Sequence, residues 1–131
     1  MLVSGNSLYG VGEFTPGSKQ QMKQLDVLFQ ALRNTKIYPV WVHTFHPVTM
    51  DVIRFAKGHN NVYLDLSAAF SSLATKIALA ELPERCLYSS DAPYGEPYLY
   101  RQLIEFVAPD KRTVEMALGE NISQLLALDE R

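Results

Sequence analysis

Cysteine, charge imbalance and long apolar segments are all scarce in this sequence. It contains one cysteine, Cys86, which cannot form a disulfide within the chain and is expected in the core, so we expect a reducing, cytoplasmic location. No apolar run approaches the roughly 18 residues that a membrane-spanning helix needs, and the amino terminus lacks the basic and apolar segments of a signal peptide. The formal net charge of −2 gives no electrostatic reason to expect nucleic acid or a membrane as a partner.

The sequence does contain enough apolar residues, 47% of the total, for one folded domain over residues 1–131. Short segments rich in β-branched and aromatic residues alternate with segments of helical apolar spacing. The predicted strands are Leu8–Phe14, Ile37–Phe45, Asn61–Ser67 and Cys86–Tyr88. The predicted helices are Lys19–Thr35, Thr49–Lys57, Ala68–Glu81, Tyr98–Val107 and Thr113–Leu128, the last broken near Gly119. Strands joined by helices must run parallel, so the pattern predicts a parallel α/β fold, either open or curled into part of a barrel.

Three of the predicted strands lead to a side chain that could take part in chemistry. Glu13 closes the first, His43 lies near the end of the second, and Asp91 follows the fourth. The carboxyl ends of parallel strands share one edge of the sheet, where α/β proteins hold their active sites. Each residue also has a structural interpretation: Asp91 as a turn or helix-capping acid, Glu13 as a turn acid and His43 as a hydrogen-bonded structural histidine.

Several segments occur in the order seen in the amidohydrolase superfamily. They are Val11–Phe14, Pro39–His43, Asn61–Ser67, Leu87–Gly95 and Leu118–Leu126. From about Leu8 to Leu128 the chain resembles the carboxyl-terminal half of amidohydrolase-related metal-dependent hydrolases and, more distantly, of TatD-type deoxyribonucleases. In this family the fold is a (β/α)8 barrel with one or two divalent metals at the carboxyl ends of the strands.

The resemblance implies roles for the same three residues. Glu13 matches the acid at the end of the family's fourth strand, and His43 matches a metal-binding histidine of the fifth or sixth. Asp91 matches the eighth-strand acid, which binds metal and takes a proton from the attacking water. Two carboxylates and an imidazole suit Zn²⁺ or Mn²⁺. The implied function is a metal-dependent hydrolase, in which metal-activated water attacks a C–N, C–O or phosphoester bond of a small-molecule substrate.

The chain departs from the family pattern in its completeness. The family's paired first-strand histidines have no counterpart, and a full barrel takes roughly 250 residues, about twice this chain. We therefore expect a half-barrel of about four strands. Its outer strands would expose unpaired backbone groups, which predicts a homo-oligomer, or a partner chain, that covers the strand edges. The missing histidines leave open a second interpretation, a non-catalytic half-barrel remnant or assembly subunit.

Other polar and aromatic residues have competing interpretations. His46, before a proline, is either a second ligand or a loop residue, and His59 is expected to be solvated. We expect Asp65 to have a turn or helix-cap partner rather than a metal. The tyrosines after the predicted fourth strand form either a packed loop or an aromatic wall of a substrate pocket; they are Tyr94, Tyr98 and Tyr100. In the helix Ala68–Glu81, the residues predicted to face inward are Phe70, Leu73, Ile77 and Ala80.

Overall fold

The computed structural model describes residues 2–6, 23, 26–27, 30–34, 38–42, 49–67 and 72–127. Four strands in these ranges form one sheet: β1 (Leu2–Asn6), β2 (Tyr38–Val42), β3 (Tyr63–Asp65) and β4 (Cys86–Leu87). Neighbouring strands run parallel and lie in the order β1-β2-β3-β4. The predicted parallel α/β fold is therefore confirmed.

Helices connect the strands and follow the last of them. Residues 23, 26–27 and 30–32 are helical and fall within the first predicted helix. The later elements are α1 (Thr49–Gly58), α2 (Ser72–Glu81), a 3₁₀ turn (Pro83–Arg85), α3 (Pro97–Val107), α4 (Lys111–Glu115), a π-helical turn (Met116–Glu120) and α5 (Asn121–Leu125). These bounds confirm the later predicted helices, including the interruption near Gly119. In the described part of the chain, no helix combines the length and the apolar character needed to cross a bilayer.

The first strand differs from the one that the sequence pattern predicts. β1 comprises Leu2–Asn6, whereas the pattern favours Leu8–Phe14, which lies outside the described residues. Leu2 pairs with Tyr38, and the pairing continues in register to the end of both strands. The segment contains serine, glycine and asparagine, which have low strand propensity. Pairing with β2, rather than local propensity, therefore accounts for this strand.

The core forms where β3 and β4 meet the helices packed against the sheet. Leu64 and Cys86, which are neighbours across these two strands, have no exposed surface. Burying a leucine or isoleucine side chain contributes roughly 1.5–3 kcal/mol, so this cluster is the main source of stability in the described part. Its apolar members are Val52, Ile53, Ala56, Val62, Leu64, Leu66, Ala74, Ala78, Leu79, Leu82, Cys86, Ile104, Val107 and Ala117.

The outer edge of β4 is bonded to the carboxyl-terminal helical segment. Successive residues of a strand direct their backbone groups to opposite edges, and the Leu87 carbonyl accepts from the Leu66 amide beside β3. On the other edge, the Tyr88 amide donates to the Ala117 carbonyl in the π-helical turn at 2.9 Å. Asn121 Nδ2 donates to the carbonyl of Cys86 at 2.8 Å. We expected this edge to be unpaired, and here the chain's own helical segment satisfies it.

Candidate functional site

The candidate site lies where β4 ends. Leu87 is buried, and its bond with the Leu66 amide, 2.9 Å long, holds this end of β4 beside the end of β3. Beyond β4 the chain passes through half-buried Ser89 and Ser90 and reaches Asp91, which is also half-buried. Asp91 therefore follows β4 at the carboxyl edge of the sheet.

The backbone of Asp91 has an unusual conformation. Its φ of 56° lies in the left-handed region, which few residues other than glycine adopt and which aspartate tolerates better than most. The Asp91 carbonyl accepts hydrogen bonds from the amides of Tyr94 and Gly95, both at 2.9 Å. Backbone conformations of this kind concentrate at functional sites, where the surrounding structure holds them in place.

Gly95 closes the loop that holds Asp91. A Cβ at position 95 would lie 1.9 Å from the Ser90 carbonyl oxygen and 2.7 Å from the ring of Tyr100. The first of these atoms belongs to the backbone and cannot move aside without moving the loop. Only glycine allows the two ends of the segment 90–95 to approach so closely, which fixes the position of Asp91 between them.

Glu96, rather than Asp91, caps the helix that follows. The Glu96 side chain accepts a hydrogen bond from the Tyr98 amide at 3.3 Å, at the first turn of α3. The helix-capping interpretation of Asp91 is therefore wrong for α3. The turn interpretation holds for the Asp91 main chain, because its carbonyl closes the turn to Tyr94 and Gly95.

The tyrosines near Asp91 divide into packed and exposed residues. The Tyr88 hydroxyl donates to the Pro97 carbonyl at 2.9 Å, and the ring of Tyr100 packs beside Gly95. Tyr94 and Tyr98, by contrast, are 91% and 64% exposed. The packed-loop interpretation thus holds for Tyr100, while the other two rings point away from the core.

Asp65 and Ser67 form a turn at the end of β3, next to the candidate site. Asp65 Oδ1 accepts a hydrogen bond from the Ser67 amide at 2.8 Å and a second from the Ser67 hydroxyl. The side chain of Asp65 thus folds back onto its own backbone two residues on. This confirms the prediction of a turn partner for Asp65.

Two of the three predicted metal ligands cannot be compared with the structure. Glu13 and His43 lie outside the described residues, as does His46, and Val42, the residue before His43, ends β2. Among the residues that the structure describes, no group of three or more histidine, cysteine, aspartate or glutamate side chains could hold a metal ion. Of the three predicted ligands, Asp91 lies in the part of the chain that the structure describes.

Comparison with solved structures gives matches at low sequence identity. An uncharacterised TIM-barrel protein from Bordetella bronchiseptica matches 99% of this chain with a TM-score of 0.75 and 17% identity. A 2,6-dihydroxybenzoate decarboxylase in complex with 2,6-dihydroxybenzoate matches 71% of it, with a TM-score of 0.55 and 14% identity. A dihydroxybenzoic acid decarboxylase from a Polaromonas species, with bound manganese and the inhibitor 2-nitroresorcinol, matches 82%, with a TM-score of 0.56 and 14% identity.

One of these neighbours is described as a TIM-barrel protein, and the other two are described as decarboxylases. At 14–17% sequence identity the likeness shows a shared fold and identifies no family. This chain spans between 35% and 46% of their length. No protein-family profile matches the sequence, and comparison with curated proteins gives no match.

A separate groove of about 990 Å³ lies away from the strand ends. It separates α3 from the carboxyl-terminal helical segment, and acidic and basic residues both line it, including Arg101, Glu105, Lys111 and Glu115. Arg101 and Glu105 pair with each other at 2.8 Å. Because the groove is open, of mixed charge and not lined by Asp91, we do not assign the chemistry to it.

His59 was expected to be solvated, and this expectation is wrong. It is 3% exposed, its Nε2 lies 2.6 Å from Asp26 Oδ1, and its ring packs against Phe55 with centroids 4.5 Å apart. Arg85 donates to the His59 carbonyl at 2.6 Å and also to the Ala56 carbonyl, and burial lowers the pKa of this guanidinium. The cluster lies at the amino-terminal side of β3 and β4, which in parallel α/β folds contributes stability rather than chemistry.

Cys86 is confirmed as a core residue. It has no exposed surface, and burial raises the pKa of its thiol to about 12. A thiol of this kind stays protonated at neutral pH and is a poor nucleophile.

Proposed function

We propose that this chain forms part of a metal-dependent hydrolase of the amidohydrolase type, in which Asp91 is a metal ligand and the general base. The position of Asp91 supports the proposal: it follows a buried strand at the carboxyl edge of a parallel sheet, and a glycine-dependent loop holds it in a left-handed conformation. TIM-barrel enzymes place their catalytic groups at this edge. One structural neighbour of this chain is described as a TIM-barrel protein, which supports applying this rule to Asp91.

Glu13 and His43 complete the proposed ligand set. Two carboxylate oxygens and one imidazole nitrogen match the preferences of Zn²⁺ and Mn²⁺, and manganese is bound in one of the structural neighbours. Such an ion, when bound, lowers the pKa of a coordinated water from 15.7 toward about 7. The role of Asp91 would be to accept a proton from the water that attacks a C–N, C–O or phosphoester bond of a small molecule.

Decarboxylation of a hydroxybenzoate is a second candidate activity. Two of the structural neighbours are dihydroxybenzoate decarboxylases, whereas none of the three is described as a hydrolase. A cation held by the proposed ligands could bind the carboxylate of such a substrate, and manganese is bound in one of these decarboxylases. The two activities differ in their products, because one consumes water and the other releases carbon dioxide.

Additional strands would join the sheet at β1. The outer edge of β4 is already bonded to Ala117 and Asn121, so a strand arriving there would have to displace both contacts. A partner chain or second copy that extends the sheet toward a full barrel is therefore proposed at β1. Without it, the non-catalytic half-barrel interpretation gains weight.

Metal content of the purified protein tests the proposal. We expect Zn²⁺ or Mn²⁺ in stoichiometric amount by elemental mass spectrometry, and loss of most of it in Asp91→Asn, His43→Ala and Glu13→Gln. Asp110→Asn is the matched control, because Asp110 caps α4 and asparagine is an equally good cap. A parent protein without metal after growth and dialysis in both ions would contradict the proposal and favour the non-catalytic scaffold.

Activity assays separate the two candidate reactions. Metal-loaded protein is offered amide, ester and phosphoester substrates and, in parallel, 2,6-dihydroxybenzoate, with hydrolysis products and carbon dioxide measured separately. Suppose that the parent and Asp110→Asn release carbon dioxide and Asp91→Asn does not. The chain would then be assigned decarboxylase activity instead of hydrolase activity. Hydrolysis with the same dependence would support the first proposal.

A further inference from the structure

α2 is apolar on two opposite sides. One side packs into the core through Ala74, Thr75, Ala78 and Leu79. The other side carries Leu73, which is 65% exposed, and exposed Ala80 seven residues later. A surface helix normally turns polar residues outward. The outward side of α2 therefore resembles a surface that is covered in the working protein.

α3 carries a second exposed apolar strip. Leu99 and Phe106 are seven residues apart, so they lie on the same side of the helix, and they are 64% and 85% exposed. Arg101 and Glu105 lie on the flank that lines the groove toward α4. Leu99 and Phe106 occupy the opposite flank, which is the one that faces α2.

The two strips belong to one surface. α2 packs against α3, and both helices begin near the carboxyl edge of the sheet and run in the same direction. Leu73 and Leu99 thus lie at the same level near the helix starts, and Ala80 and Phe106 lie near the helix ends. We call this surface the α2–α3 face; its members are Leu73, Ala80, Leu99 and Phe106.

The charges around the α2–α3 face are largely paired within the chain. Lys57 binds Glu81 at 2.6 Å beside the end of α2, and the Arg101–Glu105 pair lies on the far flank of α3. Lys76, an exposed residue between the strips, can lay its methylene stem along them with its ammonium in water. Among the described residues, this rim carries no strong charge of one sign, as binding an anionic membrane or a highly charged partner would require.

We propose that the α2–α3 face binds the α2–α3 face of a second copy of this chain. An uncharged aromatic and aliphatic surface is compatible with its own image in a two-fold dimer. Leu73, Leu99 and Phe106 expose on the order of 400 Å² of apolar surface, and two copies together on the order of 800 Å². With Ala80 and the Lys76 stem, the buried area reaches about 1,000 Å², the lower bound for a biological interface.

Sedimentation equilibrium of the full-length protein tests this proposal. We expect a dimer of twice the 14.8 kDa chain mass at tens of micromolar, and a dissociation constant raised at least about 100-fold in the double variant Leu73→Lys/Phe106→Lys. Val27→Lys is the matched control, because Val27 is 69% exposed but lies on the amino-terminal helix. Circular dichroism and thermal unfolding of each variant test whether it is still folded, so that loss of the dimer can be distinguished from unfolding.

Cross-linking locates the contact. Native Cys86 is buried with a thiol pKa of about 12, so a bifunctional maleimide reacts only with an introduced cysteine. We expect Leu99→Cys to give covalent dimers and Val27→Cys to give none. A monomeric parent at these concentrations, a dimer that survives the double lysine variant, or equal cross-linking at both positions would each overturn the proposal.

Discussion

Replacing Asn121 by aspartate removes the side-chain contacts that hold the start of β4. The Asn121 side chain is 3% exposed, and its Nδ2 donates to the carbonyls of Pro83 at 2.7 Å and Cys86 at 2.8 Å. An ionised aspartate has the same shape but donates no hydrogen bond. Each carbonyl left without a donor costs about 1–3 kcal/mol, so we expect Asn121→Asp to lower the free energy of unfolding by about 3–5 kcal/mol at neutral pH.

The loss of stability in Asn121→Asp should be smaller in acid than at neutral pH. Burial against two carbonyl oxygens raises the folded-state pKa of the new carboxyl above its ordinary value of about 3.9. Its protonated form can donate one hydrogen bond, so part of the lost stability is present below that value. This part is lost again as the pH rises through the raised folded-state pKa.

Urea unfolding followed by circular dichroism measures the difference in free energy, provided the slopes agree. Gln124→Glu on the same helix is the control, because Gln124 is exposed and undergoes the same change of charge. We expect this variant to stay within about 0.5 kcal/mol of the parent. If Asn121→Asp unfolds at the same urea concentration as Gln124→Glu, the two hydrogen bonds do not support β4 and our account of its outer edge is wrong.

Three further predictions concern single residues. Gly95→Ala would put a Cβ 1.9 Å from a loop carbonyl oxygen. We therefore expect its free energy of unfolding, measured in urea, to fall by about 1–3 kcal/mol and its metal content to decrease. Gly119→Ala is the control and should lose no stability, because a Cβ at position 119 would meet nothing within 4 Å. Cys86, with its thiol pKa of about 12, should react with a chromogenic disulfide at pH 8 only after denaturation, and rapid reaction of the folded protein would contradict its burial. The pKa of Asp110 is lowered mainly by the hydrogen bond from the Thr113 amide, so the stability gap between the parent and Asp110→Ala should exist above pH 4 and close as the pH falls through the folded-state pKa. A gap that persists in acid would show that the cap does not depend on the charge.

The order of strands and helices could be predicted from the sequence because its signals are local. Tyr38–Val42 and the segment around Cys86 are rich in residues that favour strands, and Pro93 and Gly95 mark the loop that follows the latter. The position of Asp91 at the carboxyl edge follows from that pattern. Its left-handed backbone does not, because it depends on how closely the residues on either side of it approach each other in space.

The buried side of α2 shows where periodicity fails. Leu73, Ile77 and Ala80 recur at helical spacing and were predicted to face inward, yet Leu73 and Ala80 are exposed and only Ile77 packs partly against the core. The helix is apolar on two opposite sides, so spacing alone offers two possible inner sides. Packing against the sheet and the neighbouring helices determines which side is buried. The residues that make these contacts are distant in the sequence, so a local pattern does not reveal them.

His59 illustrates the same limit for a polar residue. Its loop, Gly58 to Asn61, has the composition of a solvated turn, but the histidine pairs with Asp26, 33 positions earlier. A pattern of neighbouring residues does not predict a hydrogen-bond partner 33 positions away in the sequence. Glu13 and His43 lie outside the described residues, so their roles as ligands stay predictions that rest on the sequence.

The bonded outer edge of β4 also limits how the sheet could grow from one molecule to the next. Growth of a sheet from molecule to molecule into a fibre needs two receptive margins on every copy, one to accept the previous molecule and one to offer to the next. The helical segment that ends at Leu125 occupies one margin through Ala117 and Asn121. If a partner strand adds at β1 as proposed, strand addition through the sheet would therefore stop after a single step.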